Sequence, residues 1–159
     1  MPEKSRNMDW QIFEENHQPL REELVEGVEK IVQFELPAEY VECVQKYHGA
    51  QPKHGRLEIN AGGQPWEIGF GALLTLDPLE SNENVIQALS VLRKVHRIGA
   101  SYLPFAVGGG GDYLCFDYSS GESEPKVVFW FHELEAEEAI FPVANSFGEL
   151  LAMLQPYEE

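Results

Sequence analysis

Ser101-Tyr-Leu-Pro-Phe-Ala-Val-Gly-Gly-Gly-Gly-Asp-Tyr-Leu-Cys-Phe-Asp117 runs an apolar segment into four glycines and out into an alternating segment. Glycine loses more backbone freedom on folding than any other residue, so Gly108, Gly109, Gly110 and Gly111 mark a turn or a close backbone approach. A phosphate loop would need a Lys-Ser/Thr pair after its last glycine and a helix beyond it. Asp112 stands there instead, and Tyr113-Leu-Cys-Phe116 reads as a strand. A dinucleotide fingerprint also needs a helix opening at the glycines. The run therefore reads as a hairpin or bulge between two strands. Pro104 places the first of these, Tyr102–Val107, on a sheet edge or beside a bulge. The second, residues 113–118, turns Leu114, Phe116 and Tyr118 to one side.

Downstream, residues 119–125 form a polar loop. Val127-Val-Phe-Trp-Phe131 is apolar at every position, the mark of a central strand covered on both faces. Ser146-x-x-Glu149 is a capping box, and Phe147, Leu150, Leu151 and Leu154 form the apolar stripe of a last helix.

Upstream, Ser81 or Asn82 can cap a helix reaching about His96, with Val85, Leu89, Leu92 and Val95/His96 on one side. Leu57 and Ile59, a turn at Asn60-Ala-Gly-Gly63, and alternating Trp66, Ile68 and Phe70 predict a hairpin. Leu73-Leu-Thr-Leu76 predicts a further short strand. Pro37 at the first helical position and Gly49 just past the end punctuate a helix with Tyr40, Val44 and Tyr47 on one face. Leu20, Leu24, Val28 and Ile31/Val32 predict a helix over 20–33. Residues 9–16, with Trp10, Ile12 and Phe13, read as a short amphipathic start that Pro19 breaks. Strands clustered between flanking helices give an α+β fold: a mainly antiparallel sheet with N-terminal, middle and C-terminal helices. No repeat or low-complexity segment interrupts it.

Residues 1–159 are the size of one domain, with a core over about 15–155. A hydrophobic content of 43% suits a folded globule. No apolar run approaches a membrane span, and the first residues lack the apolar core of a signal peptide, so the expected compartment is the cytoplasm. Cys43 and Cys115 lie in apolar-patterned segments and read as buried thiols. The net charge is −16, and beyond Ile98 eleven acidic side chains face one base, Lys126. Such a field repels nucleic acid and steers a basic partner, although solubility alone also accounts for it.

Catalytic patterns are absent. None of the five histidines has zinc-motif spacing. His132-Glu133-x-Glu135-x-Glu137-Glu138 could ligate a metal on a strand edge, but such a run more often forms a solvated acidic surface. Asp112 and Asp117, five apart, point to opposite faces of a regular strand, which argues against paired carboxylates. No serine stands in a nucleophile elbow, and Cys43 has only a poorly aligned His48 nearby. Trp66, Trp130, Tyr113 and Tyr118 could anchor a partner, but for Trp130 core packing is the better reading. No enzyme activity, metal or cofactor is expected. The candidate partner surface is Asp112, Asp117, Glu122, Glu124, Glu133, Glu135, Glu137 and Glu138.

Four segments in order carry a resemblance: Leu36-Pro37-x-x-Tyr40 leading to Tyr47-His-Gly49; Leu103-Pro104-Phe105-Ala106; the Gly108-to-Asp117 run; and Asn145-Ser146-Phe147-Gly-Glu149-Leu-Leu151. Together they resemble the SUKH superfamily, the Smi/Knr-type domain of fungal cell-wall regulators and many bacterial proteins. His48-Gly49 stands where the family has Asn-Gly, and Asp112 where it has Asn; both are turn-compatible. The resemblance covers about residues 15–155. It implies an α+β domain without catalysis, similar in bacteria to immunity proteins that bind and block a toxin domain, often a nuclease. A scaffold or regulator binding another intracellular protein is the alternative. An enzyme or ligand-binding domain with a cleft beside the glycine turn is a third.

Overall fold

The computed structural model describes residues 9–13, 15–79, 83–121 and 124–156. The fold is α+β, with four helices and antiparallel sheets among these residues. The main sheet has the order β5-β6-β7-β8, formed by Tyr102–Val107, Tyr113–Asp117, Lys126–Trp130 and Ile140–Ala144. β7 is interior, as the apolar run over 127–131 predicts. β5 lies at an edge with a register shift between Pro104 and Ala106, so both readings of Pro104 hold.

Successive residues of β6 and β7 feed two cores. Leu114, Phe116, Val127 and Phe129 face the larger one, while Cys115, Val128 and Trp130 pack with Leu92, Ile98 and Ala139. Leu114, Phe116 and Tyr118 thus share one side as expected, and Cys115 is a buried thiol on the other, covered face.

Helix α1 (Glu22–Val32) buries Val25, Val28 and Val32. Helix α2 (Ala38–Tyr47) buries Tyr40 and Val44. Pro37 is not its first helical residue but its N-cap, in extended conformation (φ −62°, ψ 142°). Proline still suits the place, because the preceding chain is extended and no amide donor is lost from the helix. Helix α3 (Val85–Lys94) is capped by Asn84, whose side chain accepts a 2.8 Å bond from the Gln87 amide. Ser81 and Asn82, the expected caps, lie outside the described residues. Helix α4 (Phe147–Met153) is capped by Ser146 as expected, with Oγ accepting from the Glu149 amide at 3.1 Å. The Glu149 carboxylate reaches back to the Asn145 amide, one residue before the cap.

Tyr40 sits edge-on to Phe105, Phe116 and Phe147, and Phe105 stacks on Phe116 at 4.2 Å. This aromatic cluster joins α2, β5, β6 and α4, so the separated Tyr40, Phe105 and Phe147 motifs form one contact set. The hairpin of β3 (Arg56–Ala61) and β4 (Gln64–Gly69) turns at Gly62 and Gly63, both at positive φ. Its Trp66 meets Phe129, Phe131 and Phe141.

Three local readings change. Trp10 and Gln11 form a two-residue strand, β1, paired with β2 (Gln51–Pro52), while Ile12 and Phe13 are exposed. Residues 73–76 are buried but form no strand, joining only by single bridges, Leu73 to Ala106 and Thr75 to Asn84. β8 is a strand that hydrophobic patterning did not predict.

Candidate functional site

Four glycines between β5 and β6 do separate jobs. A side chain at Gly108 would lie 3.0 Å from the Phe129 ring and 3.2 Å from Asp112 Cβ, whereas Gly109 faces open space. Gly110 and Gly111 hold φ of +61° and +101°. The turn delivers Asp112 inward rather than outward. Asp112 is 8% exposed, and its Oδ1 accepts from the His132 backbone amide at 3.0 Å and from His132 Nδ1 at 2.6 Å. It stands apart from the other candidate carboxylates as a buried anchor between the glycine turn and the end of β7.

Asp117 is half-buried at the far end of β6, opposite Lys126, and its Oδ1 accepts from the Ser119 amide. Glu124 is exposed in the same β6–β7 connection, and Glu122 lies outside the described residues. Glu133, Glu135, Glu137 and Glu138 are all exposed in the β7–β8 connection. β6 and β7 run five residues each, so the two acidic groups start from opposite ends of the hairpin, roughly 14 Å apart.

The second group is shaped by its anchors. The Asp112–His132 contact holds its start. Phe131 N–H donates to the Ala139 carbonyl and closes it, and buried Ala139 roots its short 3-10 turn (Ala136–Ala139) in the smaller core. Leu134, 38% exposed, stands among the four glutamates. Ala136 holds φ +54°, rare for a side chain other than glycine. The phenol of Tyr102, on β5 beside Asp117, is pushed up by partial burial, then by Asp117 and Glu137.

Neither cysteine is an activated thiol. Burial pushes the Cys43 thiol up to about 12, and burial also raises that of Cys115. Among the described residues, no group of three or more His, Cys, Asp or Glu is placed to hold a metal ion. No helix among them is long and apolar enough to cross a membrane. His48 is 1% exposed and joins the Gln18 carbonyl (2.7 Å) and Thr75 Oγ1 (2.9 Å). It fastens the segment before α1 to the core. Trp130, 2% exposed, is a core residue as expected.

The family described as SMI1 / KNR4 family (SUKH-1) matches residues 19–153, most of the chain. No curated protein matches it.

Proposed function

We propose that this chain, which belongs to the SMI1 / KNR4 family (SUKH-1), is a non-catalytic protein-binding domain of the immunity type, binding and neutralising a toxin domain with a basic surface. The observation that carries the reading is the exposed, anchored β7–β8 connection, with four carboxylates around a partly exposed leucine. A leucine anchor with a charged rim suits protein recognition: the centre supplies buried contact, and the rim supplies steering and selectivity. A nuclease toxin must present cations to a phosphate backbone, so a carboxylate surface is complementary to its cleft. The resemblance supplies the toxin as the class of partner; the net charge of −16 supplies only the sign of its surface. Cytoplasmic action in the toxin-producing cell belongs to the same proposal.

The test is co-expression with the basic C-terminal module of a large protein encoded beside this chain. Cells should survive only when this chain is present, and a one-to-one complex should be recoverable from them. Survival without a physical complex would remove the inhibitor mechanism. A stable complex with a partner that is harmless alone would place the chain among scaffolds and regulators instead.

A further inference from the structure

A concavity of about 240 Å3 opens where β1, α2 and α4 meet. It is smaller than the ~300–1,000 Å3 usual for drug-sized ligands, which fits it to one side chain. Trp10 and Tyr47 line it with parallel rings, 8° between planes and 5.2 Å between centroids. Leu151 of α4 lines it as well. The polar lining is Glu39, Glu42 and Lys46, all exposed, for a net charge of −1. Tyr40 and Val44 point from the same helix into the core, so the groove is lined by the side of α2 that the fold leaves over.

Two further observations give the groove its chemistry. Neither Glu39 nor Glu42 has an ion-pair partner among the described residues, and the Glu39 carboxylate lies over Gly148 of α4, in space that a Cβ there would overlap. The thiol of Cys43, which also lines the groove, is raised by burial, then by Glu42, with Lys46 opposing as the smaller influence. Two carboxylates against one ammonium leave the lining net negative.

We propose that this groove binds a cationic side chain, an arginine, presented by a protein partner. A guanidinium is planar, stacks on aromatic rings and offers forked donors to carboxylates, whereas a lysine ammonium is a compact, strongly hydrated point charge. The groove supplies both partners, an aromatic wall and two unpaired carboxylates one helical turn apart. This site is distinct from the β7–β8 connection. It rests on the reading of the chain as a protein-binding domain and adds a specific anchor to it.

The experiment titrates the full chain with N-acetyl-arginine amide, following the Trp10 indole N–H and the Leu151 methyls by NMR. N-acetyl-citrulline amide, the uncharged isostere, is the control. Saturable shifts confined to these signals are expected with the arginine amide and none with citrulline. The double variant Glu39→Gln, Glu42→Gln should raise the dissociation constant at least about tenfold, the scale of one lost charge-assisted contact. Both positions are exposed, so spectra of the double variant should otherwise match the parent. Absence of saturable shifts, equal response to citrulline amide, or undiminished affinity in the double variant would each overturn the site. The probe is a single amino-acid derivative, so failure here leaves the toxin-binding reading untouched, and failure of that reading leaves this site standing.

Discussion

Gly110 and Gly111 occupy a backbone region that costs a side chain about 1–2 kcal/mol, while neighbouring Gly109 is free of both positive φ and close neighbours. Gly110→Ala and Gly111→Ala should each lower stability by about 1 kcal/mol in urea titration, and Gly109→Ala should be neutral or slightly stabilising. Equal, negligible effects at all three would show that the turn is not held in this conformation. The cysteines make a second residue-scale prediction. An unfolded Cys43 thiol ionises near its ordinary value of 9.0, but in the fold it stays protonated up to about 12. Between those values the native state holds more protons than the unfolded one, so stability should fall as pH rises from about 9 towards 12. The raised Cys115 thiol works in the same direction. Cys43→Ala should flatten the fall in urea midpoint between pH 8 and pH 10.5; an unchanged slope would place the titration elsewhere. What the sequence concealed at this scale was pairing at a distance. Asp112 reads as surface charge until His132, twenty residues on, is seen to occupy it.

Among the elements, those with strong local signals were legible and those held by tertiary pairing were not. Ser146 before an apolar stripe announces α4, and the glycine pair at 62 and 63 announces the β3–β4 turn, because both signals are local chemistry. β8, Ile140-Phe-Pro-Val-Ala144, is short, carries a proline and follows an acidic run, so only its pairing with β7 makes it a strand. β1 is two residues long and exists through its pairing with Gln51 and Pro52. The stripe of α4 also divides more sharply than its spacing implies. Phe147 and Leu150 are buried, whereas Leu151 and Leu154 are half-buried, with Leu151 on the wall of the groove. Leu150→Ala should therefore cost about 2–5 kcal/mol in denaturant titration, and Leu151→Ala about 1 kcal/mol or less. Equal losses at the two positions would mean that the helix is rotated from the orientation described.

On the scale of the whole molecule, the charge is both abundant and arranged. A net −16 keeps like molecules apart, and under the proposed function it steers a basic partner to a face set by anchoring. The acidic candidates legible as a linear run, Glu133 to Glu138, do share one connection, while Asp117 and Glu124 lie at the opposite end of the β6–β7 hairpin. The groove beside α2 was invisible in the linear order because Trp10, Glu39 and Leu151 meet only after folding. The most direct measurement is the association rate of this chain with the module proposed as its toxin partner, by stopped flow from low salt to above 0.15 M. Exposed charges are screened beyond ~10 Å at 0.1 M, so the rate should fall steeply with salt. The double variant Glu135→Lys, Glu138→Lys should lower the on-rate more than it raises the off-rate, because rim charges act mainly through steering. A tight complex whose association is indifferent to salt and to both reversals would contradict the acidic surface as the binding face.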